Sequence, residues 1–192
     1  MNVTCTNTIA DAVKLNTTIK NSRSADQIQI HGTRPLNATV VLLGDRSYEG
    51  DSRTGTVLRQ ASGSNLPALL ASDSWNGDWT YAGDPIRIAQ LTLDGNSSAN
   101  SSTNALVIRP WLRVIEDLQV ENAPADGIQI TSVSKNGVGL QGSEVNGHVS
   151  NVFVTNSGSV GIHVVDPGNS VTDWSLLDSW VAYPGQSAIY MG

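Results

Sequence analysis

Leu118-Gln-Val-Glu-Asn-Ala-Pro-Ala-Asp-Gly-Ile-Gln-Ile130 and Val152-Phe-Val-Thr-Asn-Ser-Gly-Ser-Val-Gly-Ile-His-Val164 stay in step when laid one above the other at an offset of 34 residues. Both read apolar-x-apolar-x-Asn, four linking residues, then Gly-Ile-x-apolar. Trp174-Ser-Leu176-Leu-Asp178 followed by Ala188-Ile-Tyr-Met191 reads as a further copy with a five-residue insertion. Leu91-Thr-Leu93-Asp-Gly95 followed by Ala105-Leu-Val-Ile108 reads as another, also five residues longer. Each copy holds two short strands of period-two alternation, joined at a turn centred on Asn, Asp or Gly. A polar residue there suits left-handed backbone geometry, and the Gly before each second strand relieves a tight corner. One copy alone cannot bury its apolar faces, whereas stacked copies bury them continuously, which is the logic of a solenoid. A β-sandwich would place strands every eight to twelve residues without this register and ranks second.

The rest of the composition agrees with an all-β chain. Ser, Thr, Asn and Gly make up 71 of the 192 residues, Val and Ile number 19 and 12 beside a single Phe, and only 15% of residues are charged. Low charge with many β-branched residues argues against disorder, and the scarcity of Lys and Glu against a helical bundle. Net charge is −6 with only three lysines, so the basic footprint that nucleic acid requires is missing. No apolar run approaches the roughly 20 residues of a membrane span. One cysteine, Cys5, excludes an internal disulfide framework and a Cys-based zinc site. The opening Met1-Asn2-Val3-Thr4 is polar and shows no leader signature.

The first third reads as a cap on the stack. In Thr8–Lys20, residues Ile9, Ala12, Val13, Asn16 and Ile19 fall near one helical face, with Thr8 as N-cap and Asp11 three residues on. Residues 27–30, 39–43 and 54–59 read as strands, with turns at Gly44-Asp45 and Gly50-Asp51. A helix at this end would cover a sheet edge that otherwise invites aggregation. One domain over 1–192 is therefore expected, with the cap and first coil in 1–50 and further coils in 51–192. The chain stops mid-repeat at Ile189-Tyr-Met-Gly192, so an uncapped last coil is expected. It would pair with a second copy, or the chain would be the beginning of a longer stack that lacks the real active site.

The helix followed by Asn-turn, Gly-Ile-x-Val coils resembles the right-handed parallel β-helix superfamily of pectate lyases, polygalacturonases and phage tailspikes. That resemblance implies a secreted, carbohydrate-active protein, although the fold hosts many reactions. Asp126-Gly-Ile-Gln-Ile130 is similar to the Asn-Thr-Asp-Gly-Ile-Asp-Ile motif of polygalacturonases, whose Asp belongs to the catalytic set. Here Asn-Thr is replaced by Pro-Ala, and the family's following Asp-Asp and Gly-His-Gly motifs are not recognisable.

Alternation assigns sides to the strands. In each Gly-Ile-x-Val segment the middle residue points outward, which gives a column of Val107, Gln129, His163 and Tyr190 spaced about 4.8 Å apart. Beside it runs a column of Asn104, Asp126, Val160 and Ser187. Asp126 is the candidate carboxylate acid/base, with either His163 or His148, in Val145-Asn-Gly-His-Val149, as the proton-transfer partner. Gln129, Asn104 and Tyr190 would contact substrate. Trp75 and Trp79 in the Gly/Asp-rich loop, and Tyr183 in Trp180-Val-Ala-Tyr183, would offer flat rings to sugar faces. The competing reading of each is a solvated face, a coil corner or a packed flank.

Two enzymatic classes and one non-enzymatic class remain open. Inverting hydrolysis needs two carboxyls roughly 6.5–9.5 Å apart, and Asp126 has no carboxylate partner in its column. A lyase needs positive charge, or Ca²⁺ held by acids such as Glu116, Asp117 and Glu121, to neutralise a uronate. No Lys or Arg follows Lys135, so a neutral glycan is expected over an acidic one. No His pair has metal-ligand spacing, and no cofactor fingerprint is present. The third class is a glycan-binding, adhesin-like or tailspike-like scaffold without catalysis.

Overall fold

A computed structural model describes residues 1–4 and 6–192. The chain opens with β1 (Asn2–Thr4), α1 (Ala10–Lys20), β2 (Gln27–His31), β3 (Thr33–Leu36) and β4 (Val40–Leu42). There follow β5 (Arg46–Gly50), β6 (Val57–Gln60), β7 (Ala68–Ser72), the one-turn α2 (Asp73–Asn76), β8 (Ile86–Asp94) and β9 (Asn104–Ile108). The second half holds β10 (Arg113–Glu121), β11 (Ile128–Thr131), β12 (Val145–Ser150), β13 (Phe153–Thr155), β14 (Ile162–Val165), β15 (Val171–Leu177), β16 (Trp180–Ala182) and β17 (Ile189–Met191). Among the described residues every pairing between these strands is parallel.

Two sheets result, one of eleven strands and one of six in the order β17-β14-β11-β9-β7-β4. The chain visits them alternately, so each return to the six-stranded sheet adds one strand beside the last. Leu70, Leu106, Ile128, Ile162 and Ile189 lie in register across it. All of these but the exposed Ile189 join Leu91, Leu93, Ile115, Leu118, Val120 and Val154 in one continuous apolar core between the sheets. Parallel strands buried on their inner faces by β-branched and Leu side chains are what the Val/Ile-rich composition favours.

Corners are made as the sequence suggests. Asn122 and Asn156 take left-handed backbone at φ 51° and 54°. Gly127 sits where a Cβ would come within 2.6 Å of the Gly161 carbonyl oxygen. The last repeat differs from its sequence reading. Val154 pairs with Val181 and Ile162 with Ile189, both 27 residues on, so β16 rather than β15 continues β13. Tyr183, at φ 54°, therefore occupies the corner equivalent to Asn156, and no insertion is present. Asp178 misleads because it too is left-handed. It closes a second column of bends with Asp117 and Asn151, part-way along the long strands.

Helix α1 lies at the end expected, against β3, β4 and β1. Its buried side chains are Asp11, Ala12, Leu15 and Ile19, whereas Ile9 and Val13 are exposed, so the inner face is rotated from the one read in sequence. Asp11 draws that face inward by accepting from the Thr6 and Thr8 amides and the Thr6 hydroxyl. Thr8 makes no side-chain cap on the helix, whose first turn begins at Ala10. On the same side Asn16 donates to the Thr39 carbonyl at 2.9 Å and accepts from the Val41 amide at 3.0 Å. Those are backbone groups at the edge strand β4, which the side chain satisfies in place of a further strand. The expected strand at 54–59 begins at Val57, because Ser52 accepts from the Gly55 amide and holds residues 52–55 in a turn.

Candidate functional site

Register across the six-stranded sheet places Ala71, Val107, Gln129, His163 and Tyr190 in one outward row. Asn104 and Asp126 stand one step before that row, because each strand enters at the same level. His163 Nδ1 lies 2.7 Å from Asp126 Oδ2, with the two side chains 23% and 11% exposed. Asp126 Oδ1 accepts from the Val160 amide at 3.1 Å, so both carboxylate oxygens are engaged. Asn104 accepts from the Asp126 amide at 3.0 Å through Oδ1 and donates to Gln129 Oε1 at 2.7 Å through Nδ2. The Tyr190 ring meets the His163 ring edge to face, 5.4 Å between centroids.

This arrangement fixes the imidazole chemically. A carboxylate beside Nδ1 favours an N–H on that nitrogen, and the contact holds the ring in place. Neither outward column carries a second Asp or Glu beside Asp126.

No protein family, curated protein or solved structure matches the chain.

The remaining sequence candidates are dispersed. His148 lies on the other sheet, in register with Val114 and Ser175, and its Nδ1 is 2.7 Å from Ser175 Oγ. Trp75 is buried against Ala68, Ala71 and Val107, so it covers the start of the outward row and offers no open ring face. Trp79 is half-buried and stacks on Tyr81 at 5.0 Å. Tyr183 is exposed at its corner beyond β16. His31 has a carboxylate neighbour as well, Asp51 Oδ1 at 2.6 Å, but that pair is open to solvent at the far end of the eleven-stranded sheet.

The acids offered as calcium donors do not fit a calcium site. Glu116 pairs with Arg87 at 2.6 Å, Asp117 accepts from the Asn151 side chain, and Glu121 from Gln119. Each is committed elsewhere, and among the described residues no three His, Cys, Asp or Glu side chains converge as a metal cluster.

Sequence reasoning missed one residue that shapes the surroundings. Arg109, fully buried, donates to the carbonyls of Ser74, Trp79, Ser132 and Val138 at 2.7–3.3 Å. Burial lowers its pKa, and nearby Asp78 opposes that shift. The guanidinium thereby binds together two loops far apart in sequence, 73–85 and 132–144. The only linear signal was an Arg set among apolar residues in Val107-Ile-Arg-Pro110.

Proposed function

We propose that the chain is a right-handed parallel β-helix acting on an extracellular polysaccharide, as a glycoside hydrolase or polysaccharide lyase, with His163 as its proton-transfer group. The observation that carries this reading is the Asp126–His163 pair on an outward sheet face, flanked by two amides and a phenol. Nε2 of His163 would take the proton from an attacking water in hydrolysis, or from the carbon next to a uronate carboxylate in elimination. Protonation of the leaving glycosidic oxygen would fall to the Tyr190 hydroxyl, the neighbouring donor in the row. Gln129 and Asn104, locked to each other, would hold sugar hydroxyls. A row along parallel strands also suits a linear polymer, since adjacent positions repeat about every 4.8 Å.

Secretion follows from the same reading, as an extracellular polymer requires it. The experiment is a polysaccharide panel scored both for new reducing ends and for unsaturated-uronate absorbance. Reducing ends alone indicate hydrolysis, both signals together indicate elimination, and neither signal on any polymer refutes the enzymatic reading. A second reading, a non-catalytic glycan-binding solenoid, is favoured by one feature. The solvent-open His31–Asp51 pair, held by the neighbouring Thr56 hydroxyl, shows that this chain also forms a His–Asp contact away from the row. Glycan binding without product would select that reading.

A further inference from the structure

We propose that a second site, a cleft away from the His163 row, binds glycans that carry no acidic groups. The cleft encloses about 780 Å³, and its lining includes Tyr81, Trp111, Asp84, Glu144, Gly83 and Asn169. That volume is in the range of pockets that take a few sugar rings. Tyr81 and Trp111 are 54% and 42% exposed, which is unusual for rings held so firmly at their backbones.

The rigidity has identifiable sources. The Trp111 amide donates to the Gly83 carbonyl at 2.7 Å, and Gly83 and Pro110 form a parallel bridge. A Cβ at Gly83 would meet Asp73 Oδ1 at 2.9 Å and Ser74 Oγ at 3.0 Å, so this close approach needs glycine. Tyr81 is backed by the Trp79 ring, and the Ala82 amide donates to Ser143 Oγ at 2.9 Å. Beneath them Arg109 ties the Trp79 carbonyl to those of Ser132 and Val138. Both platforms are thus ordered before any ligand arrives, which lowers the entropic cost of binding.

The ligand class follows from the charges. Two exposed aromatic faces suit the C–H faces of pyranose rings, and the carboxylates of Asp84 and Glu144 can accept from sugar hydroxyls or amines. No Lys, Arg or His lines the cleft. A uronate or sulfated chain would meet two carboxylates without a countercharge, whereas a neutral or amino-sugar chain would not. This site shares only the carbohydrate ligand class with the function proposed above, and requires no chemistry at His163.

The test is a printed array of neutral, amino-sugar, uronate and sulfated oligosaccharides, probed with wild type and four variants. Trp111→Ala and Tyr81→Ala should each weaken binding to the non-acidic glycans by roughly tenfold or more. Trp180→Ala, at an exposed ring elsewhere, should bind as wild type does. Thermal midpoints close to wild type would show that the variants are folded. Binding confined to acidic glycans, binding unaffected by both cleft variants, or no binding at all would overturn the proposal. Loss of depolymerisation in His163→Ala with array binding intact separates the two sites. Polymer cleavage that survives His163→Ala would count against the catalytic reading and leave the cleft standing.

Discussion

Asp126 engages three groups at once: its amide donates to Asn104, Oδ1 accepts from Val160, and Oδ2 meets His163. Asp126→Asn keeps the shape but lets the amide present N–H groups to Nδ1. The imidazole would then lose its fixed tautomer, and turnover should fall about 100-fold or more. Other aspartates govern acid stability. Hydrogen bonds from Ser134 and Asn136 hold the Asp78 carboxyl below the ordinary 3.8. In Asp166 burial pushes upward, yet hydrogen bonds that include those from the Ser170 and Val171 amides outweigh it and lower the value. A carboxyl depressed in the folded state contributes stability above its unfolded pKa and loses it as pH falls through its folded pKa. The thermal midpoint should therefore drop as pH is taken below about 4, and Asp78→Asn should flatten that drop. Asp73 runs the opposite way. Burial raises its pKa, so its contribution is present below 3.8 and is lost as pH rises through the folded value. Asp73→Asn should flatten the neutral side of the profile.

Helices, strands and loops differ in how far the sequence betrays them. The paired strands around Asn122 and Asn156 were legible because period-two alternation and one Gly-Ile step fix both register and side; they put Asp126 and His163 in neighbouring columns but not in contact, which depends on side-chain conformation. The last repeat was not legible, since Asp178 favours the left-handed backbone that a corner wants and Tyr183 does not, yet both adopt it, and only cross-strand pairing distinguishes them. The inner face of α1 turned on a buried carboxylate, Asp11, which no apolar pattern would place inward. Least legible was the Arg109 knot, assembled from loops some 60 residues apart. Its removal should be costly. Arg109→Ala would strand the Trp79 and Ser132 carbonyls, strip one of two donors from those of Ser74 and Val138, and destabilise the fold by roughly 3–4 kcal/mol, with early proteolysis within 73–85. Arg109→Lys should not restore stability, because one ammonium cannot span the fork of four acceptors.

At the scale of the molecule, each turn of chain adds one strand to the six-stranded sheet, so a change at one corner is felt by the next. Gly127→Ala would drive a methyl within 2.4 Å of Val154 Cγ1 and against the Gly161 carbonyl. A loss of about 1–3 kcal/mol in chemical denaturation is expected, more than at the open Gly139, where no atom lies within 4 Å. The same stacking builds the proposed catalytic row from residues that each belong to a different turn of chain. Asn104, Asp126, His163 and Tyr190 come from four successive visits to the sheet, and only their parallel register brings them together. The most direct measurement of the central claim is the initial rate of polysaccharide cleavage by wild type, His163→Ala and His31→Ala side by side. A fall of about 1000-fold in His163→Ala with His31→Ala unchanged is the predicted result. Equal rates in His163→Ala and wild type would contradict it.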